Sequence, residues 1–428
     1  MPRLLHTDEV RRSGLVTREH RFEMPLVHSD PADTRTIEVF AREVTPAGTE
    51  DDNRPFLVWL QGGPGMPADR PTLIGGWIER ALVDYRVLLL DQRGTGRSTA
   101  QTARTIPGDT AAEKAEHLGH FRAPDIVADA EAIRRLLIGD EPWSVLGQSF
   151  GGFCSLSYLS FAPEGLRAAL ITGGLADIHG TAADVYAATF DKLAVRNADY
   201  FADYPSDRAR LTALRDHLRD TEEFLPTGER FTPERMLGLG ILLGSSTGFH
   251  QLHYMIENAV VPGGGQLTDT FLAEAGAVLS FGPNPLYAVL HESIYGQGQA
   301  TAWAAQAARD ARPEFAVDAS EPLFSGEMVY PWIFEQDPAL VTLRETAEIL
   351  AARADWAPLY DLEQLARNTV PAAAIVFHAD MYVPVEASLR TAAAVPGLTP
   401  IITSELHHNG IREDGAGLLT KLLAAVRR

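Results

Sequence analysis

The stretch Leu146-Gly147-Gln148-Ser149-Phe150-Gly151-Gly152 decides how this chain is read. It contains Gly-x-Ser-x-Gly. In front of it Trp143-Ser144-Val145-Leu146 reads as a short buried strand, and behind it Phe153-Cys154-Ser155-Leu156-Ser157-Tyr158-Leu159 reads as a helix. Strand, glycine-flanked serine and helix are the setting of a nucleophile elbow. The turn is too tight for side chains beside the serine, which accounts for the glycines, and it holds the serine in a strained backbone conformation. The Ser149 hydroxyl is then lifted to the top of a sheet, beside a helix N-terminus.

Short apolar runs extend the pattern on both sides of the elbow. Thr36 to Val44 alternates like a half-buried antiparallel strand. Pro55–Leu60, Tyr85–Leu90, Trp143–Leu146 and Ala168–Thr172 are continuous apolar runs, as expected of strands covered on both faces. Ile126, Ala130, Ile133 and Leu137 fall on one helical face between two of them. Strand and helix alternate, so the fold class is α/β, a doubly wound and mostly parallel sheet. From Thr181 to about Tyr360 the periodicity turns helical, with turn clusters such as Val261-Pro262-Gly263-Gly264-Gly265. Strand-like runs return at Pro371–Phe377 and Pro400–Ser404, and a final amphipathic helix runs from about Gly415 to Arg428. Two strands and a helix do not make a stable sheet alone. The expected organisation is therefore a core of residues 1–175 and 361–428 interrupted by a helical cap over 176–360.

Composition narrows the class of function. The 428 residues carry 37 Lys and Arg against 57 Asp and Glu, a net charge of −20. That disfavours nucleic acid as a partner and favours solubility, with attraction of cationic substrates as a secondary effect. The single cysteine, Cys154, allows no intramolecular disulfide and fits a reducing compartment as a buried structural thiol. Met1 to Thr17 holds no apolar run of signal-peptide length, and no segment has the apolar length of a membrane helix. The cytoplasm is the expected location, with no membrane partner. Oligomeric state leaves no mark in the sequence.

A serine nucleophile needs a base, an orienting acid and an oxyanion hole. On this architecture the chain order is Ser, then Asp or Glu, then His. Asp380 follows the strand-like run that ends in Phe377, at a strand's carboxyl end, where catalytic groups of open sheets collect. The next run leads to Glu405-Leu406-His407-His408-Asn409-Gly410. His408 is the preferred base because the following Asn-Gly permits a tight turn, with His407 a packed or surface neighbour and His378 a weaker competitor. The oxyanion hole would combine the N–H of Phe150 with one from Gln61-Gly62-Gly63-Pro64-Gly65, Gly63 first and Gly62 next. Asp91-Gln92-Arg93-Gly94-Thr95-Gly96-Arg97-Ser98 lacks the phosphate-loop pattern and reads as a buried ion-pair and turn scaffold. The histidines show no metal-ligand spacing, and no cofactor is implied.

Taken together, these motifs resemble the proline iminopeptidase (prolyl aminopeptidase) family of α/β-hydrolases, most closely its larger branch. The family's His-Gly-Gly-Pro-Gly loop reads Gln61 to Gly65 here, with Gln in place of His. Its Asp-Gln-Arg-Gly-x-Gly-x-Ser block is Asp91 to Ser98, and its elbow is Gly147 to Gly152. Its late Asp-Met-Tyr-Val and His-Asn-Gly strings match Asp380–Val383 and His408–Gly410. The resemblance implies an α/β-hydrolase fold and release of N-terminal proline from small peptides. An exopeptidase must recognise a free cationic amine, which calls for carboxylates on the cap. Glu292 ranks first, then Glu257, then Glu327. Phe150, Tyr295, Trp303 and Trp332 are candidate walls for a pyrrolidine slot.

Two other readings compete. The same triad serves an esterase, an amidase or an aminopeptidase for other small residues, since specificity lies in the cap. A non-catalytic binding protein is the third reading, and the intact Ser, Asp and His argue against it. Ser at 149 disfavours the chemistries that need a carboxylate nucleophile at the elbow.

Overall fold

A computed structural model gives the architecture, and residues 1–12, 14–50 and 52–427 are described. Nine strands form one sheet in the order β1-β2-β3-β5-β4-β6-β7-β8-β9. They are β1 (Arg3–Arg12), β2 (Leu15–Pro25), β3 (Thr36–Pro46), β4 (Phe56–Leu60), β5 (Arg86–Asp91), β6 (Trp143–Gln148), β7 (Leu166–Thr172), β8 (Ala372–Phe377) and β9 (Leu398–Thr403). Strands β4 to β9 pair in parallel. β1, β2 and β3 join antiparallel, and β3 meets β5 antiparallel. Every residue of β4, β6 and β8 is buried, so each strand is covered on both faces.

The two faces carry separate cores. Phe56, Val58 and Leu60 of β4 face a cluster with helix Ala123–Ile138 and the elbow helix Phe150–Phe161. Leu57 and Trp59 face the other side, against helices Gly76–Ala81 and Gly415–Val426. Between β7 and β8 the described residues form helices and turns, with isolated bridges only at Phe224↔Arg230 and Val260↔Leu267. This helical cap shares its apolar cluster with the elbow side of the sheet. The fold is that of an α/β-hydrolase with an inserted helical cap.

The N-terminal hairpin has no counterpart in the sequence reading. β1 is exposed along its whole length and β2 is only partly buried, so neither presents an apolar run. Cross-strand pairs hold them together, among them Arg3–Glu23 at 2.9 Å and Arg18–Glu9 at 3.1 Å. No helix among the described residues is long and apolar enough to cross a membrane.

Candidate active site

Ser149 stands between β6 and the elbow helix with φ 53° and ψ −123°, one of three non-glycine residues at positive φ among the described residues. The neighbouring glycines are there for space. A Cβ on Gly151 would sit 1.9 Å from the Leu60 carbonyl oxygen, and one on Gly147 would sit 2.2 Å from that of Gly151. Sheet, elbow and helix therefore pack backbone to backbone, and only glycine fits. The Ser149 N–H donates to the Thr172 carbonyl at 3.1 Å, which ties the elbow to the end of β7.

His408 and Asp380 lie after β9 and β8. The His408 Nδ1 to Asp380 Oδ2 distance is 2.8 Å, and both residues are buried. Asp380 Oδ1 accepts from the N–H groups of Tyr382 at 2.9 Å and Val383 at 3.0 Å. A carboxylate fixed by two backbone donors has one oxygen left to orient a ring. Burial opposes protonation of His408, but the Asp380 charge and hydrogen bond, with a contribution from Glu327, raise it above the ordinary histidine value. The turn after β7 lies against both His408 and Ser149. A Cβ on Gly174 would meet the Ser149 backbone oxygen at 2.2 Å, and one on Gly173 would meet His408 Nδ1 at 3.3 Å. The ring bonds to Asp380; no hydrogen bond joins it to the Ser149 hydroxyl in this structure.

Gly62 abuts Ser149: a Cβ there would lie 3.1 Å from the Ser149 Cβ. Gly63 has φ +135° and lies against the backbone of Gly65 and Met66. The Asp91–Ser98 block fastens this loop. Gln92 Nε2 donates to the Gln61 carbonyl at 3.0 Å, and the Ala68 N–H donates to Asp91 Oδ1 at 3.1 Å. Arg93 makes a two-pronged, fully buried pair with Asp129, both contacts at 2.7 Å. The Gln61 side chain accepts from Trp59 Nε1 at 2.7 Å, so Gln occupies the family's histidine position as a buried acceptor.

The cap carboxylates separate clearly. Glu327 accepts from the Tyr287 hydroxyl, its charge is felt by His408, and burial raises its carboxyl above the ordinary value. Glu292 is 6% exposed and burial pushes it up to about 7. Its Oε1 accepts from the Ala305 N–H at 2.9 Å, and the Thr301 side chain with the Ala304 and Trp303 amides also favours its charged form, while Oε2 makes no hydrogen bond of its own. The segment around it is strained, with Ala302 at φ 52° and Trp303 at φ 56°. Glu257 is not brought to this group. It is exposed at the end of helix Gly248–Glu257, where amphipathic packing turns Met255 and Ile256 inward and leaves it outside.

The aromatic candidates separate too. Tyr295 packs on Phe153 at 5.9 Å and on Tyr186 at 5.8 Å, and Phe153 on Phe150 at 6.2 Å. Trp303 is half-buried against Phe334, ring centroids 5.7 Å apart, and donates to Glu348 at 2.9 Å. Trp332 lines a cavity of about 70 Å³, partly open to solvent, with Ile241, Val278, Phe281, Tyr287 and Glu327. Sequence reasoning missed Tyr287, Tyr186 and Tyr382. Tyr382 packs edge-on against His408 at 4.8 Å, and its place two residues after Asp380 was the available signal. His378 is exposed, and Cys154 is buried and held as the thiol by burial. No group of three metal-ligating side chains occurs among the described residues.

Comparison with known proteins gives three findings. A family model described as the α/β hydrolase fold matches residues 55–221. A proline iminopeptidase of Aeromonas sobria is 45% identical over 411 residues, 96% of each chain, and a proline iminopeptidase of Aspergillus aculeatus is 35% identical over 425 residues, 95% of this chain and 93% of that one. A solved proline iminopeptidase from Mycobacterium smegmatis covers 90% of this chain and 94% of its own at 15% identity and a TM-score of 0.41.

Proposed function

The chain belongs to the proline iminopeptidase family of α/β-hydrolases, and from that premise we propose that it is a serine aminopeptidase releasing N-terminal proline from small peptides. The observation that carries this reading is the pair of buried carboxyl groups, Glu292 and Glu327, on the cap that shares a core with the elbow helix. A buried carboxyl with an unpartnered oxygen is costly unless a cation meets it. The free amine of a peptide is such a cation, and Tyr295 with Phe153 offers an apolar wall for the ring beside it.

In the proposed mechanism His408 takes the proton of Ser149 as the hydroxyl attacks the prolyl carbonyl. Asp380 fixes the tautomer with Nδ1–H donating and stabilises the imidazolium that forms. The N–H of Phe150 with that of Gly63 or Gly62 holds the oxyanion. His408 then protonates the leaving amine, and water, deprotonated by the same ring, releases proline from Ser149. Residues 176–360 form the cap in this reading, and 1–175 with 361–428 form the core. The lone buried Cys154 supports placing the reaction in the reducing cytoplasm.

The test compares a prolyl-arylamide with its N-acetylated form. Turnover of the free amine only, lost in Ser149→Ala, is the expected result. Equal turnover of the blocked substrate would overturn the exopeptidase reading and favour the esterase or amidase alternative.

A further inference from the structure

Arg122 is the N-cap residue of core helix Ala123–Ile138, and its side chain is buried. A buried cation is normally paired with a carboxylate. Among the described residues Arg122 forms no salt bridge. Its donors go to backbone carbonyls instead: Nε to Ser293 at 3.2 Å, Nη1 to Ala357 at 3.0 Å, and Nη2 to Gly296. The guanidinium also lies 4.5 Å from the Trp356 ring centroid. Ser293 immediately follows Glu292, and Gly296 immediately follows Tyr295. Three carbonyls on two cap segments thus converge on one side chain of the core.

The second segment is anchored to the nucleophile's own helix. Ser157, on the elbow helix, donates to the Leu359 carbonyl at 2.6 Å, and the Leu359 N–H donates to Gln297 Oε1 at 3.1 Å. The Gly298 N–H donates to the Trp356 carbonyl at 2.8 Å. Trp356 packs so closely on Gly296 that a Cβ there would lie 2.8 Å from its ring. Residues 293–298, residues 356–359, Arg122 and the elbow helix are therefore one hydrogen-bonded unit.

We propose that Arg122 is a positioning residue for substrate recognition: it sets the Glu292–Tyr295 turn at a fixed distance from the elbow helix, so that amine and carbonyl of one small substrate are met together. The inference rests on the aminopeptidase reading. A carboxylate partner would leave the guanidinium free to move with a flexible side chain. Carbonyls belong to the backbone, so satisfying them fixes the backbone. The planar fork of Arg has the geometry for several acceptors at once, and the point charge of Lys does not.

The experiment uses the full-length protein with Arg122→Lys, Gln297→Ala and Ser157→Ala. One readout is KM and kcat on a prolyl-arylamide. The other is the labelling rate of Ser149 by a fluorophosphonate, which needs the triad and no amine. The expected result for Arg122→Lys is a rise in KM of about tenfold or more, with a labelling rate within about twofold of wild type. The two lighter variants raise KM in the same sense by a smaller factor. If Arg122→Lys does not fold, those two decide. Unchanged KM overturns the proposal, and so does a parallel loss of labelling and turnover, which marks a merely structural role. Wild-type protein that labels but ignores prolyl-arylamide refutes the aminopeptidase reading instead, so the two failures are distinguishable.

Discussion

At the scale of single residues, the burial of charge makes the sharpest predictions. Glu292 ionises at about 7 when folded, against an ordinary value of 4.5, because burial disfavours its charge. A carboxyl raised on folding contributes stability below its unfolded value and loses it as pH climbs through the folded one. Wild type therefore carries a penalty above pH 7 that Glu292→Gln removes, on the order of 3 kcal/mol from the shift alone. Urea unfolding at pH 5 and pH 8 checks this: the variant gains on wild type at pH 8 and much less at pH 5. Its KM for a prolyl substrate rises at the same time. For His408 the sign is opposite in consequence. As the proposed base it must be neutral, and its value is raised, so kcat/KM falls on the acid side at a pH above the ordinary histidine value. Glu327→Gln removes one of the charges that raise it and moves that limb to lower pH; a limb that stays in place in a pH–rate profile excludes Glu327 from the base's surroundings. Asp380→Asn leaves the wrong tautomer and lowers kcat by about 10⁴-fold. The sequence brings Ser149, Asp380 and His408 forward because the fold fixes an order and strand ends for such groups, and the structure puts His408 Nδ1 2.8 Å from Asp380 Oδ2. The rank of Glu292, Glu257 and Glu327 could not be read there, since a short apolar string does not say which helix face turns inward. Met255 and Ile256 do so, and Glu257 is left exposed.

At the scale of elements, the elbow is a packing problem solved by glycine. Strand β4, the elbow helix and the turn after β7 approach at backbone distance, with Gly151 against Leu60 and Gly152 against Gly174. Gly151→Ala must push the helix away from β4, since the clash at 1.9 Å is with backbone. Overpacking of a rigid site costs roughly 1–3 kcal/mol or more, and here it also shifts Phe150, the proposed oxyanion donor. The expected outcome is a lower melting temperature together with slower fluorophosphonate labelling. Normal labelling in a destabilised variant would mean that the elbow tolerates the shift. The inner strands could be read because parallel strands are apolar on both faces. β1 and β2 could not, because a hairpin held by ion pairs such as Arg3–Glu23 has the composition of a loop. The cap's strained turn at Ala302 and Trp303 was equally hidden: it exists around the Glu292 carboxyl, a tertiary contact with no local pattern.

At the scale of the whole molecule, core and cap divide the work in a way the sequence reflects unevenly. The core is one sheet with two apolar layers, and its strand pattern is local. The cap is made of short helices whose positions depend on the core beneath them, so its existence is legible and its contacts are not. Charge is the property that belongs to neither part alone. The chain carries 57 acidic against 37 basic residues and, in the proposed reaction, takes up a cation. A field of that sign raises the local concentration of cationic substrate, and salt screens it over a Debye length of about 10 Å at 0.1 M. The kcat/KM of a prolyl-arylamide is therefore expected to fall several-fold between about 10 mM and 500 mM NaCl, mostly through KM. Labelling of Ser149 by an uncharged fluorophosphonate, measured over the same range, supplies the control. It should change little, because no charge is drawn in. A salt response of equal size for both would locate the effect in the enzyme's conformation, and the acidic surface would then serve solubility alone.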